Sequence, residues 1–307
     1  MTQTVLEPGT AQGTSSEQSP APAGRRRPRP HWLLLLPALA LVIAVLVLPL
    51  GQSLLRSVGA PATLTGEHYT ELFTDGVTLR VLWRTVQTAV LVTVIAFALG
   101  YPYAYVMTRV GPRMRALLLV VVLVPFWTSV MARNFAWILI LQRGGPVDSF
   151  FGLFGLDVVL YGKQAGVVIA MSQVLLPFMV LPLFSALSGI DRRLLLAAQS
   201  LGSRPLVAFW KVYWPLSRGG VTAGLILVFT LSLGFYVTPA LLGTPQESLV
   251  AQLLAARTTQ LLDFEGAGAL GMVVLVATLG LVAWANRLGG TVSAIGVVAT
   301  STPEGKR

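Results

Sequence analysis

Few residues of this chain are equipped for bond-making chemistry, and their types and spacing exclude most of it. Cysteine is absent and the histidines are His31 and His68. Thiolate ligation, cysteine nucleophiles and disulfides are therefore excluded, and two lone imidazoles argue against a histidine metal centre. A phosphate cradle for a nucleotide ends in Gly-Lys-Ser/Thr. Here Gly162-Lys163 runs into Gln164 and lacks the upstream glycine. Any ATP that serves this chain must be hydrolysed by another one. Arg133 is the charge placed deepest within an apolar run. Its expected place is the outer membrane interface, where the guanidinium snorkels to water; an aqueous path is the alternative.

The stretch Leu195 to Gly220, LLAAQSLGSRPLVAFWKVYWPLSRGG, carries a different kind of chemistry, that of contact. It is polar and basic, yet it lies between two long apolar runs. Ala197 and Ala198 are followed by Gly202, which can take the left-handed conformation that ends a helix. Ser203 is the expected cap of the next helix and Pro205 falls in its first turn. Pro215, with Gly219 and Gly220 behind it, predicts a stop before the membrane is re-entered. The pattern reads as helix, sharp turn, helix, stop, and predicts a hairpin that docks on a soluble partner.

The elements that must hold this hairpin are membrane helices. Of 307 residues 54% are hydrophobic and 11% charged, with mean hydropathy +0.74; soluble domains carry about a quarter charged residues. Apolar runs near Trp32 to Leu54, Leu82 to Met107, Ala116 to Leu141, Ala165 to Ile190, Val221 to Leu242 and Ala267 to Leu288 each suffice for the roughly 20 residues of a helical crossing. No acid or histidine lies inside them, which speaks against an embedded enzyme or a proton-coupled carrier. The net charge of +10 is scattered beside apolar runs without interleaved aromatics, so it marks orientation rather than nucleic-acid binding. Arg25, Arg26, Arg27 and Arg29 precede the first run. Arg109, Arg113 and Arg115 follow the second; Arg192, Arg193, Arg204, Lys211 and Arg218 follow the fourth; Arg287, Lys306 and Arg307 follow the last. The alternate loops carry Glu67, Glu71, Asp75, Asp148, Asp157, Glu247, Asp263 and Glu265. Basic loops stay cytoplasmic, so both termini and the hairpin are expected there. Residues 1–30 read as a disordered basic cytoplasmic tail, 31–290 as the membrane domain with its loop at 191–218, and 291–307 as a short cytoplasmic tail. The first run is read as a retained span rather than a cleaved signal peptide, because it is too long and Arg56 intervenes.

Three blocks resemble the permease subunits of ABC importers. Ala197-Ala198, Gly202, Val212 and Pro215 match the spacing of the family's cytoplasmic "EAA" loop, with Leu196 where the family has Glu and Trp214 where it usually has Leu. Val124-Pro125-Phe126-Trp127-Thr128-Ser129, then Arg133-Asn134-Phe135-Ala136-Trp137, resemble the third-span signature of the polyamine/opine-type branch. Gly234 to Gly243, GFYVTPALLG, resembles its fifth-span signature.

The resemblance implies an all-α membrane protein of six transmembrane helices with the type I importer-permease fold, in a bacterial inner membrane. It implies an ABC ATPase dimer, a second, homologous permease subunit, an extracytoplasmic solute-binding protein and surrounding membrane lipid as partners, and no nucleic acid. ATP and Mg would sit on the ATPase, leaving no cofactor in this chain. Leu196, Ala197, Ala198, Gly202, Arg204, Lys211, Val212 and Pro215 would couple to the ATPase. Phe126, Trp127, Thr128, Ser129, Asn134, Trp137, Gln173, Tyr236 and Thr238 are the expected liners of the translocation path, where aromatic faces suit a passing cation. Pro102, Pro125, Pro177, Pro182 and Pro239 are placed to bend helices around it. Spermidine or putrescine is the leading cargo. Opine, amino-acid-like, phosphonate, metal and oxyanion cargoes, and an ATPase-independent channel or secondary carrier, remain open at this level.

Overall fold

The computed structural model describes residues 32–58, 67–191, 193–194, 198, 200 and 202–289. The expected terminal tails and part of the hairpin, including Arg192, Leu196 and Ala197, lie outside them. Among the described residues the regular elements are all helical, in the order α1 (Trp32–Ser57), α2 (Glu67–Thr74), α3 (Gly76–Arg109), α4 (Pro112–Trp127), α5 (Val130–Leu141), α6 (Pro146–Gly152), α7 (Gln164–Ser188), α8 (Pro205–Ala208), a π-helical turn π1 (Phe209–Tyr213), α9 (Trp214–Leu233), α10 (Val237–Leu242), a 3-10 turn (Pro245–Glu247), α11 (Val250–Thr259) and α12 (Phe264–Gly289). The chain divides into two compact units, 1–49 and 50–307. The first contributes most of α1, an apolar helix that contains Pro37 and Pro49, and ends at Pro49.

In the second unit the core is a trio, α3, α7 and α9, packed through Val92, Ala96, Ala104, Met107, Met171, Leu175, Met179, Leu183 and Val228. Glycines set how closely these helices approach. A β-carbon at Gly100 would fall 2.8 Å from Met179 Cγ, and one at Gly224 2.8 Å from Met179 Sδ. Met179 is thus clasped between two glycines on different helices. At Gly220 an added carbon would meet the Pro182 carbonyl at 2.9 Å. Where lipid removes the hydrophobic drive between helices, such close backbone approach supplies the packing.

Among the described residues five helices are long and apolar enough to span alone: Pro37–Ser57, Gly76–Arg109, Gln164–Ser188, Phe209–Leu233 and Phe264–Ala285. The sixth is the pair formed by α4 and the segment Val130–Gly152, bent by 98°, so the expected continuous third span is corrected to a broken one. Pro125 lies in the last turn of α4, and Thr128 and Ser129 adopt extended backbone. The Thr128 hydroxyl donates to the Pro125 carbonyl at 2.8 Å, the local bonding by which Thr competes with helix. α3 is longer than expected; its 34 residues span about 51 Å at 1.5 Å per residue. It therefore overshoots a hydrocarbon core of about 30 Å, with Asp75 before one end and Arg109 at the other.

The expected stop at Pro215 and Gly219-Gly220 is absent. π1 runs straight into α9, and Trp214 N–H donates to the Phe209 carbonyl five residues back. The wider turn precedes Pro215, whose missing N–H then falls in the first turn of α9, where it is tolerated. Gly219 and Gly220 are interior, the latter pressed on α7. The expected fifth span, Val221 to Leu242, is likewise corrected: α9 ends at Leu233, Gly234 caps it, and α10 is separate.

Candidate functional site

At the Arg109 end of α3 stands the hairpin. Gly202 has φ +84° and Ser203 N–H donates to the Ala198 carbonyl at 3.1 Å, the six-to-one bond that closes a helix on a left-handed glycine. The next helix begins at Pro205, and the Arg204 carbonyl accepts from Ala208 N–H at 3.0 Å. Arg204, not Ser203, is therefore the capping residue. A β-carbon at Gly202 would meet nothing within 4 Å, so the turn faces open space. Arg204, Lys211 and Pro215 are exposed, Ala198 and Val212 half-buried.

The second arm of the hairpin is the same rod as the fifth span, since α8, π1 and α9 run on without interruption. An aromatic ladder joins that rod to α3. Tyr105 meets Phe209 and Tyr213 edge-on with centroids 6.0 and 5.5 Å apart, while Phe209 stacks on Tyr213 at 5.7 Å. Tyr101 lies 6.1 Å from Phe209 and 5.6 Å from Trp214, and its hydroxyl is 3.2 Å from Ser217 Oγ. Arg109 lies over the Tyr105 ring at 4.8 Å and donates to its hydroxyl at 2.7 Å. Such pairs contribute about 0.5–1.5 kcal/mol each beyond burial, so the ladder ties the second arm of the hairpin to α3.

The break in the third span gathers most of the expected path residues. Arg133, expected at the outer interface, lies beside the break. Its guanidinium turns back and donates to Thr128 Oγ1 at 3.3 Å and to the Thr128 carbonyl at 3.0 Å, bracing the bend. Trp137 Nε1 donates to Gln173 Oε1 at 3.3 Å, and Phe126 meets Phe178 edge-on at 6.0 Å. Trp127 is 84% exposed and Tyr236 47%; Thr128 and Ser129 are exposed as well. Asn134 and Thr238 are buried, and Asn134 donates to the Val130 carbonyl at 2.8 Å. These two face protein rather than an open path. Tyr236 lines a largely apolar cavity of about 460 Å³ with Gly234, Ala251, Leu254, Thr258 and Gly271.

The Asp75 end holds ionic contacts that sequence reasoning missed. Arg257 Nη2 donates to Thr78 Oγ1 at 3.0 Å and lies 3.8 Å from Asp75; its Nη1 lies 3.5 Å from Asp263. His68 Nε2 is 3.1 Å from Glu265. Arg84 pairs with Glu247 at 3.5 Å and donates to the Gln246 carbonyl. Hydrogen bonds from the Thr78 hydroxyl, then from Val77 N–H, hold the Asp75 carboxyl below the usual carboxylate range, with Arg257 adding to them. The signal available in the sequence was two unexplained basic residues, Arg84 at the start of the second apolar run and Arg257 in an otherwise acidic loop. Gly162-Lys163 is no phosphate cradle here either: Gly162 N–H is committed to the Leu242 carbonyl at 3.0 Å, and Lys163 caps α7.

A set of membrane-length helices, one of them broken, with a polar hairpin continuous with the fifth span, defines a membrane-embedded transport component. Residues 96–285 match the family described as "Binding-protein-dependent transport system inner membrane component", and the chain belongs to it. It is 33% identical over 231 residues, 73% of this chain and 80% of the relative, to the "Spermidine/putrescine transport system permease protein PotB" of Haemophilus influenzae. It is 31% identical over 246 residues, 78% of this chain and 86% of the relative, to the "Probable molybdenum ABC transporter permease protein" of Haloferax volcanii. The fold matches a chain in the crystal structure of a bacterial ABC transporter that imports the acidic polysaccharide alginate, with TM-score 0.71 and 18% identity over 84% of this chain and 95% of that one.

Proposed function

We propose that this chain is the permease subunit of an ATP-driven importer for a polyamine such as spermidine or putrescine. The observation that carries the reading is the 33% identity over 231 residues to a spermidine/putrescine permease. A separate ATPase pair holds ATP and Mg and performs the hydrolysis. The Gly202 hairpin docks on one ATPase, with both chain termini on that same cytoplasmic side; a second, homologous permease and an extracytoplasmic binding protein complete the assembly. Leu196, Ala197, Ala198, Gly202, Arg204, Lys211, Val212 and Pro215 form the docking face. Because the hairpin and α9 are one rod and the aromatic ladder ties the rod to α3, closure of the ATPases moves these helices as a unit. Polyamine charge is recognised mainly on the binding protein, since the middle of the spans carries no acid.

The test is ATP-driven uptake of labelled spermidine by the reconstituted assembly. Replacing Gly202 with Trp adds bulk where the turn faces open space and strains the left-handed backbone. Uptake should fall at least tenfold while the subunit remains in the membrane; uptake at the wild-type rate overturns the docking role. A molybdate-type oxyanion is the second reading, favoured by the 31% identity to the molybdenum permease. Uptake of molybdate without uptake of spermidine would replace the first reading by the second.

A further inference from the structure

A pocket at the Arg109 end lies outside the hairpin and outside the broken span. It is a cavity of about 130 Å³ lined by Thr108 and Arg109 of α3, Arg115 of α4, Leu187 and Ser188 of α7, and Tyr213 of π1. Two guanidiniums and three hydroxyl-bearing side chains therefore converge without a lining carboxylate. Among the described residues the ion pairs involve Arg84, Arg143, Arg257 and His68; neither pocket arginine is among them.

Both arginines are held in place by their neighbours. Arg109 rests on Tyr105, and Arg115 Nε donates to the Met107 carbonyl at 3.2 Å with its guanidinium 5.7 Å from the Phe184 ring. A guanidinium has five N–H donors, so each keeps most of its donors for a ligand. The C-terminal carbonyls of α3 and α7 add partial negative charge of their own, and Arg115 answers one of them. The room equals about four waters at roughly 30 Å³ each. That accommodates a phosphodiester. Next to the arginines in sequence, Val106, Met114 and Leu117 are exposed apolar side chains of spanning helices, a surface suited to acyl chains.

We infer that this pocket binds the phosphate of an anionic phospholipid, with its acyl chains lying along α3 and α4. Paired arginines suit a phosphate by bidentate hydrogen bonding, and basic pockets between spanning helices on the cytoplasmic side recognise anionic headgroups. The inference is independent of the cargo, so its failure leaves the importer reading untouched.

The full assembly is reconstituted in vesicles of equal parts phosphatidylcholine and phosphatidylglycerol, re-extracted in mild detergent and examined by native mass spectrometry for retained lipid. Wild type should keep phosphatidylglycerol in preference to phosphatidylcholine. The double variant Arg109→Gln, Arg115→Gln should lose about tenfold or more of that retention, as removal of two interfacial charges implies. Arg113→Gln, exposed on the same turn and outside the pocket, should keep it. Ser188→Asp places a carboxylate in the pocket while leaving both arginines packed on their aromatic rings, and should lose retention with an unchanged melting temperature. Equal retention by wild type and Ser188→Asp overturns the proposal, as does equal retention of the two lipids. Binding of millimolar inorganic phosphate with no phospholipid retained assigns the pocket to a free anion instead. Retention that arises only after the ATPase is stripped assigns it to an acidic side chain of that partner, and either result overturns the lipid.

Discussion

The two ends of α3 are built from different materials. At the Asp75 end, charges are matched one against another: Arg257 between Asp75 and Asp263, His68 against Glu265, Arg84 against Glu247. At the Arg109 end, positive charge lies on aromatic rings and carbonyls, and among the described residues Arg109 and Arg115 have no acidic partner. Matched charges pin one geometry and weaken with salt. Aromatic contacts tolerate small shifts and ignore salt. The first end is suited to standing still and the second to moving, with the glycine-lined trio of α3, α7 and α9 between them.

The largest effect should come from breaking what the ends share. Gly220→Val drives its side chain against the α7 backbone at Pro182 and should cost about 3 kcal/mol, the upper range for overpacking. Hydrogen exchange should rise at both ends together; a rise at one end alone would show that they are not joined through this trio. The next contrast sets the ends against each other. Arg257→Gln should cost about 1–2 kcal/mol, a figure held down because Asp75 and Asp263 stay 41% and 40% exposed. Phe209→Leu should cost about 1 kcal/mol through its lost ring pairs. Melting in low and high salt separates the two, since the penalty of Arg257→Gln should shrink with salt and that of Phe209→Leu should not.

The smallest effect concerns acid. Asp75 has a folded-state pKa below its unfolded value of about 3.9, so its stabilisation is present in full above that value and is lost as pH falls through the lower folded one. Local exchange near α2 and α11 should therefore rise only below about pH 4 in the wild type. Asp75→Asn keeps a capping side chain, should lose only a few tenths of a kcal/mol at neutral pH, and should flatten that acid limb. An acid limb equally steep in the variant would assign it to another carboxylate.

Much of the hairpin was legible because its signals are local. The left-handed Gly202 and the first-turn Pro205 follow from residue type at a given spacing. Pro215 misled because a stop and a tolerated first-turn proline have the same sequence; the π-helical turn that distinguishes them depends on Phe209 and Tyr213 meeting Tyr105 across the bundle. The break at Thr128-Ser129 was hidden inside an apolar run of sufficient length, where Pro125 reads equally well as a gentle bend. The Asp75-end pairs were illegible for a further reason: Thr78 and Arg257 are 179 residues apart, and charge counting assigns a side of the membrane without assigning partners. Of the expected path residues, Asn134 and Thr238 turned inward because a polar side chain in an apolar run is satisfied as well by its own helix or a neighbour as by water.

The clasp on Met179 has a consequence for chemical wear. Conversion of a thioether to its sulfoxide needs access to the sulfur and room for an added oxygen. Met179 offers neither, being fully buried with Gly224 pressed on its sulfur, whereas Met114 and Met131 are half exposed. An oxidant acting on the cell envelope is thus directed to peripheral methionines, and the pivot of the helix trio outlasts them.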